Sequence, residues 1–257
     1  MRGECGMSDP FRFTTIAHHG RAILGPLGSG SVDALLAKAA PPAFAGRRAA
    51  VLDVGCGKGE ILLRAMRRLG ATGTGVDPNP SFIGDARERA RGRVAAADLT
   101  LILGRLAASP VPRGVFDLVI CTGATHAFGG WAQALNGLAA LVRAGGRGLV
   151  GVGYWKRPPD PEYLECFGGR EDDLLPLEPT LDATRAAGWA PLAHHASTPE
   201  EWDEYEGGYE SAVRSWLAAR PRDPDVPAFR ERIDAWAGAY RRWGRETMGF
   251  VTVAVRR

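Results

Sequence analysis

The chain has 257 residues, 45% of them hydrophobic, and a formal net charge of +3, which suits one domain with a sizeable core and does not indicate nucleic-acid binding. No apolar run of about 18 residues predicts a transmembrane helix, and the first residues lack the apolar core of a signal peptide. Four scattered cysteines, none in a C-x-x-C pair, fit reduced thiols, so we expect a cytoplasmic protein with no metal site and no membrane partner.

The first part of the chain alternates short apolar strands with helices. Residues 1–13 are predicted to form a mobile tail, and residues 14–48 a helical lid that contains a helix over 31–40. Beyond the lid, strands are predicted at 49–55, 73–77, 93–99, 114–123 and 147–155, and helices at 60–69, 80–90 and 131–144. Strands alternating with helices indicate βαβ units, and the continuous apolar strands indicate a parallel sheet covered on both faces.

The second part of the chain is rich in aromatic residues, since all five Tyr and six of the seven Trp follow residue 150. Its predicted elements are a helix at 178–189, a strand at 190–197, helices at 200–219 and 228–244, and a closing strand at 249–257. The whole chain is therefore predicted to be a single α/β domain (1–257) with a Rossmann-like sheet of seven mostly parallel strands.

The two aromatic helices lie between the last two strands and are predicted to form a helical cap over 199–244. The Rossmann-like core would then consist of 49–198 and 245–257. Each cap helix carries its aromatic residues on one stripe at helical spacing. We expect the acidic residues of the first cap helix to form its solvated face, namely Glu200, Glu201, Asp203, Glu204 and Glu206.

A glycine-rich loop, "DVGCGKGE", follows the first predicted strand. In open parallel sheets ligands bind at the carboxyl ends of the strands, where this loop falls. The spacing fails for a phosphate-binding P-loop, because Lys58 is followed by Gly59 and Glu60. A dinucleotide fingerprint would need glycine where Glu60 stands, and an acid there is a poor neighbour for a pyrophosphate. S-adenosylmethionine, which has no phosphate, is the third possibility.

Acidic residues downstream of the loop favour S-adenosylmethionine. Asp53, Gly55, Gly57 and Gly59 would hold its methionine end. Asp77 ends the second predicted strand and suits a bidentate hydrogen bond to ribose hydroxyls. Asp98 lies at the end of the predicted third strand, where its side chain would reach the adenine amino group. The predicted cofactor-binding set is Asp53, Gly55, Gly57, Gly59, Asp77, Pro78, Asp98, Leu99 and Cys121.

The order D-x-G-x-G-x-G, then Asp77, then Asp98, then "FDLVIC" resembles the class I S-adenosylmethionine-dependent methyltransferases. The motifs "FTTIAHHGR", "GATHAFGG", "GYWKRPP" and "RWGRETMGF" are similar to the YjhP-like bacterial subgroup of small-molecule methyltransferases. The resemblance implies a sheet that ends in a β-hairpin with an antiparallel last strand. One position departs from the subgroup, because Val152 stands where its members tend to carry an acid.

Several residues near the predicted site of methyl transfer are candidates to bind the methyl acceptor or to remove a proton from it. His126 follows the fourth predicted strand and is the candidate catalytic residue, either as a general base or as a group that only positions the acceptor. Aromatic faces bind flat molecules and tolerate a sulfonium cation. The predicted substrate-binding set is His18, Tyr154, Trp155, Tyr205 and Trp243.

The sequence thus predicts an S-adenosylmethionine-dependent methyltransferase that acts on an O or N nucleophile of a small aromatic or heterocyclic molecule by in-line displacement. Three alternatives stay open: a non-catalytic S-adenosylmethionine-binding protein, an NAD-type oxidoreductase and an RNA methyltransferase. Glu60 and the closing hairpin argue against the oxidoreductase. The absence of a basic stripe in the sequence argues against an RNA substrate.

Overall fold

One seven-stranded sheet organises the part of the chain that the structure describes. The structure is a computed structural model, and it describes residues 9–41 and 47–257. The strands are β1 Ala50–Val54, β2 Thr72–Asp77, β3 Leu99–Leu103, β4 Phe116–Thr122, β5 Val142–Trp155, β6 Ala190–Ala196 and β7 Met248–Arg256. Their spatial order is β3-β2-β1-β4-β5-β7-β6, and β7 runs antiparallel to both neighbours. The predicted Rossmann-like sheet with an antiparallel last strand is confirmed.

Helices cover both faces of this sheet. The helices of six or more residues are α1 Arg12–Ala17, α2 Ser29–Ala39, α3 Glu60–Leu69, α4 Pro80–Ala90, α5 Trp131–Leu141, α6 Pro161–Phe167, α7 Leu177–Ala186, α8 Pro199–Ala219 and α9 Val226–Ala239. Of these, α1 and α9 pack against α8 in a separate hydrophobic core. Leu62 of α3 packs into one hydrophobic core together with Val51. Leu135 of α5 packs into the other core together with Leu52. Because neighbouring strand residues point to opposite faces, these two cores lie on the two sides of β1.

The third strand lies later in the chain than predicted. The prediction over 93–99 is wrong, because residues 96–98 form a 3-10 turn and the strand runs from Leu99 to Leu103. Leu99 is in register with Gly73, and Leu103 with Asp77. The sequence "LTLIL" buries more apolar area than the alanines of 95–97, which explains why it forms the strand.

Asp98 is consequently at the amino edge of the sheet, opposite to the edge predicted for it. Its carboxylate oxygens accept hydrogen bonds at 2.5 and 2.9 Å from the guanidinium of Arg48, which precedes β1. This pairing lowers the pKa of Asp98. The roles predicted for Asp98 and Leu99 in binding the adenine are therefore corrected, since both residues stand at the start of β3.

The first helix, α1, packs onto the cap helices. Residues 1–8 of the predicted tail lie outside the described residues, and the tail prediction is wrong from Arg12 onward because Arg12 begins α1. Arg12 forms an ion pair with Asp223, in the turn between α8 and α9. The ring of Phe13 meets that of Phe229 edge-on at a centroid distance of 5.0 Å. These contacts tie α1 to the cap.

Glu201 joins the lid, the cap and the sheet at a single carboxylate. Its Oε1 accepts hydrogen bonds from the backbone N–H of Gly28 at 2.7 Å and from the Ser31 hydroxyl at 2.6 Å. Its Oε2 lies 2.6 Å from Nε2 of His195 on β6 and also caps α8 through Thr198. The prediction that Glu201 belongs to a solvated face is thus wrong.

Among the described residues, no helix is long and apolar enough to cross a membrane.

Candidate active site

The glycine loop connects β1 to α3 at the carboxyl edge of the sheet. Gly55, Gly57 and Gly59 have φ values of +71°, +52° and +76°, which are strained for any residue with a side chain. A Cβ on Gly55 would stand 2.3 Å from Cβ of Ala124, which follows β4. Glycine is therefore required at position 55, both for the turn and for the close approach of the loop after β4.

Asp77 ties the glycine loop to the end of β2. Its Oδ2 accepts a hydrogen bond from the Gly57 N–H at 2.9 Å, and its Oδ1 accepts one from the Asn79 N–H at 2.8 Å. Burial raises the pKa of Asp77, and these two hydrogen bonds oppose that rise. Asn79, not Asp77, caps α4 by accepting from the N–H of Ser81. Asp77 is thus the acid that fixes the shape of the loop, with half-buried Pro78 beside it.

Asp53 is a buried carboxyl beside the loop, and no described residue donates a hydrogen bond to it. It is 3% exposed and lines the cavity described below. Burial, together with the charge of Asp77, raises the pKa of Asp53 to about 8. A buried carboxyl of this kind is stabilised in its ionised form by a nearby cation. The methionine end of S-adenosylmethionine carries an ammonium and a sulfonium, so the residues present fit that cofactor.

Glu60 begins α3 and also lines the cavity. It accepts hydrogen bonds from Arg64 at 2.8 Å and from Arg93 at 2.6 Å. Although burial acts in the opposite direction, these arginines lower the pKa of Glu60. The helix N-terminus therefore carries a fixed negative charge where a pyrophosphate would need to lie, which disfavours a dinucleotide.

A cavity of about 970 Å³ extends from the glycine loop to the cap. The strand-end side of its wall includes Asp53, Gly55, Gly57, Thr122, Gly123, Thr125 and His126. The cap side includes Tyr163, Phe167, Trp202, Tyr205, Glu206, Trp236 and Tyr240. One continuous space therefore borders both the loop predicted to hold the cofactor and the aromatic residues of the cap.

His126 lines this cavity. It is exposed, it belongs to the 3-10 turn Thr125–Phe128 after β4, and its positive charge when protonated would lower the pKa of Asp77. Cys121 does not line the cavity, because the residue is fully buried in the core. The same burial raises the pKa of its thiol to about 12. Thr122 and Gly123 line the cavity in its place, which corrects the prediction for Cys121.

Two of the predicted substrate-binding residues on β5 face the core. The ring of Tyr154 fills the space over Gly249 of β7, where a Cβ would stand 2.2 Å from it. Trp155 packs on Tyr163 at a ring distance of 6.3 Å, and its Nε1 donates to a backbone carbonyl. Val152 and Gly153 are the β5 residues that line the cavity. In the pairing with β7, Gly249 stands opposite Tyr154 and leaves the space that its ring fills, and this register does not follow from the pattern of the strands.

The remaining substrate-binding predictions divide between the wall of the cavity and the layer behind it. Tyr205 lines the cavity, as predicted. His18 lies behind it, with Nε2 3.1 Å from the Tyr205 hydroxyl and Nδ1 2.8 Å from a carbonyl of α1. Burial lowers the pKa of His18. Trp243 packs on Tyr163 at 6.2 Å and does not line the cavity.

Glu206 is a site residue that the sequence analysis assigned wrongly to the solvated face. It is 6% exposed, and burial raises its pKa to about 7 although Trp236 donates a hydrogen bond to it. The signal was present in the helical spacing, because residues 202, 206, 209 and 213 share one face of α8. An acid on an otherwise apolar stripe is a candidate for a functional group.

The strand order and the glycine loop, with a fixed acid at the helix N-terminus, define an α/β protein that binds a nucleoside without a pyrophosphate. A family model for a methyltransferase domain matches residues 51–146. The uncharacterized protein YjhP of Escherichia coli strain K12 is 30% identical over 207 residues, which cover 80% of this chain and 83% of YjhP.

Solved structures agree with these sequence comparisons. A SAM-dependent methyltransferase from Geobacter sulfurreducens, in complex with S-adenosyl-L-homocysteine, is 29% identical to this chain and superposes with a TM-score of 0.86. The match covers 98% of this chain and 100% of the Geobacter chain. Its counterpart from Thiobacillus denitrificans, in the same complex, is 28% identical with a TM-score of 0.85 over 96% and 98% of the two chains. The chain therefore belongs to the class I S-adenosylmethionine-dependent methyltransferases. Within that class it belongs to the YjhP-like group.

Proposed function

We propose that this methyltransferase transfers a methyl group to an O or N nucleophile of a small aromatic or heterocyclic molecule held between the sheet and the cap. The continuous cavity of about 970 Å³ between the glycine loop and the cap is the observation that carries this proposal. Its volume suits a cofactor together with a small acceptor. Residues 22–27 of the predicted lid line the cavity, and together with the cap over 199–244 they would close the site against water.

In this proposal the carboxyl edge of the sheet holds the cofactor. Asp53 and the loop from Gly55 to Gly59 bind the methionine end, and Asp77, with Pro78 beside it, binds the ribose. S-adenosylmethionine supplies a methyl group on a positively charged sulfur. The protein's own contribution is to align the acceptor in line with that methyl group, and such orientation is worth roughly 7–11 kcal/mol. Enclosure by the cap removes water that would solvate the nucleophile.

A screen for methylated products tests the proposal directly. The full-length protein would be incubated with S-adenosylmethionine carrying a labelled methyl group and a panel of small aromatic alcohols, phenols, amines and N-heterocycles. We expect label to appear in an O- or N-methylated product together with S-adenosylhomocysteine. Binding of the cofactor without transfer to any panel member, or transfer to RNA alone, would contradict the proposed acceptor class.

His126 is proposed to take a proton from the acceptor, because it lines the cavity after β4. We expect His126→Ala to lower kcat by roughly 10²-fold when the acceptor carries a proton that must be removed. The measurement is kcat from pH 6 to 9 with the acceptor found in the screen. His19→Ala, at an exposed histidine outside the cavity wall, is the control and should leave kcat unchanged. Wild-type kcat in His126→Ala at every pH would contradict a proton-transfer role.

A further inference from the structure

Glu206 presents an unpaired carboxylate oxygen within the cap side of the cavity. Its Oε2 accepts a hydrogen bond from Nε1 of Trp236 at 2.7 Å, whereas no described residue donates to its Oε1. The residue is 6% exposed and lines the cavity. A carboxyl oxygen in the wall of a cavity that no protein group hydrogen-bonds can accept a hydrogen bond from a ligand. The carboxylate therefore points to a ligand that brings either a positive charge or an N–H donor.

The rings around Glu206 favour a cation over a neutral donor. Trp202, Trp236 and Tyr240 line the same side of the cavity. The rings of Trp202 and Tyr240 lie nearly parallel, with an interplanar angle of 22° and a centroid distance of 6.4 Å. The faces of indole and phenol rings attract organic cations. Carboxylate and rings together form a surface that is complementary to a positively charged nitrogen.

The charges of the cavity wall point the same way. Arg170 is the one lysine or arginine among the described residues that line it. Asp172 and Asp173 lie beside Arg170, at 3.9 and 3.8 Å from its guanidinium, and they offset its charge. Glu206 then leaves the part of the wall away from the glycine loop with a negative balance. An acceptor that carries a carboxylate or a phosphate would be repelled there, whereas a cationic one would be attracted.

Resting on the proposed function, we propose that Glu206, Trp202, Trp236 and Tyr240 form a subsite for a cationic nitrogen of the methyl acceptor. The acceptor is then a molecule that carries a protonated or quaternary nitrogen, bound against the Glu206 carboxylate, and a separate O or N atom that keeps its lone pair and receives the methyl group. In this role Glu206 determines which acceptors bind.

The subsite should depend on pH in a defined direction. Because burial raises the pKa of Glu206 to about 7, its carboxyl is largely neutral below pH 6 and largely ionised above pH 8. A permanently charged ammonium should therefore bind more tightly as the pH rises between these values. The charged and titratable groups that influence Glu206 are Arg21, Glu210, Tyr163, Tyr205, Tyr209 and Tyr240. The other such groups that line the cavity among the described residues are Asp53, Cys56, Glu60, His126, Cys166, Arg170, Asp172 and Asp173.

A matched pair of probes separates charge from shape. Choline carries a quaternary nitrogen, and 3,3-dimethylbutan-1-ol has carbon in its place with the same shape. Both would be titrated by calorimetry into the protein saturated with S-adenosylhomocysteine. With the cofactor site filled, the protonation of the groups near the glycine loop is kept the same for both probes. We expect the wild type to bind choline at least tenfold more tightly than the alcohol at pH 8, with this preference declining toward pH 6.

Isosteric variants assign the preference to Glu206. Glu206→Gln retains the acceptor for the Trp236 N–H and should reduce the preference for choline about tenfold and remove its pH dependence. Glu206→Asp keeps the charge and should retain part of the preference. Glu204→Gln makes the same change at an exposed position two residues earlier and should behave as the wild type.

Other outcomes would overturn one of the two proposals, and they can be told apart. Equal binding of both probes by the wild type, or equal loss of both in Glu206→Gln, would overturn the cationic subsite. In either case S-adenosylhomocysteine would still bind and the acceptor screen could still succeed. Failure of the wild type to bind S-adenosylhomocysteine would instead contradict the proposed function.

Discussion

Gly55→Ala is expected to weaken S-adenosylmethionine binding at least a hundredfold. Gly55 has a φ of +71°, where an alanine costs about 1–2 kcal/mol. The added Cβ would also stand 2.3 Å from Cβ of Ala124, a separation that requires the backbone to move. Ala124 belongs to the segment that leads into the turn of His126, so the overlap would displace two walls of the cavity together. Calorimetry with S-adenosylmethionine, together with the melting temperature, measures the effect.

Gly114→Ala separates backbone strain from this overlap. Gly114 has a φ of +67°, close to that of Gly55, but a Cβ there would meet no atom within 4 Å. Gly114→Ala should therefore lower the melting temperature slightly and leave the affinity for S-adenosylmethionine unchanged. Equal losses of affinity in the two variants would show that the close approach to Ala124 is not what requires glycine at position 55.

Asp77→Asn is expected to weaken S-adenosylmethionine binding at least tenfold. The carboxylate accepts hydrogen bonds from the backbone N–H groups of Gly57 and Asn79, and an amide can accept through only one of its two terminal atoms. A buried donor left without an acceptor costs about 1–3 kcal/mol. The substitution would also remove one acceptor from the proposed contact with the ribose diol. The dissociation constant of S-adenosylmethionine, measured by calorimetry, gives the result.

Asp98→Asn is the matched control for this variant. The same change is made at the amino edge of the sheet, where Asp98 pairs with Arg48. Because the edge that bears the glycine loop is the opposite one, the affinity for S-adenosylmethionine should equal that of the wild type. A loss in Asp98→Asn as large as that in Asp77→Asn would contradict the position of Asp98 at the start of β3.

Much of the fold and the loop side of the site could be predicted from the sequence. Six of the seven strands and the glycine loop are local features, each specified by a short run of apolar residues or by glycines at fixed spacing. The antiparallel last strand was implied by the family resemblance. Asp53, Asp77 and His126 follow from these features because each lies at or near the carboxyl end of a predicted strand. The prediction of the third strand is wrong for a local reason, since the alanine run at 95–97 lies directly before the more apolar run "LTLIL" that forms β3.

The acceptor side of the cavity could not be predicted in the same way. Tyr154 and Trp155 end a strand at the carboxyl edge, yet β7 and α6 cover them and turn both rings into the core. Tyr205, Glu206 and Trp236 lie on cap helices. The aromatic stripes of these helices are as typical of a hydrophobic core as of the wall of a ligand pocket. Only the packing of these helices against the lid and the sheet decides which side chains reach the cavity.

The sequence by itself determined the class of protein, because a bare loop between a strand and a helix, and the acid that ends the next strand, depend on neighbours within about 25 residues of chain. The tertiary structure decided which groups meet the acceptor. Glu206 contacts Trp236, 30 residues away, and lies opposite a loop that is about 150 residues earlier in the chain. Contacts at such separations depend on how all the intervening elements pack, and for that reason the acid of the acceptor subsite emerged only from the fold.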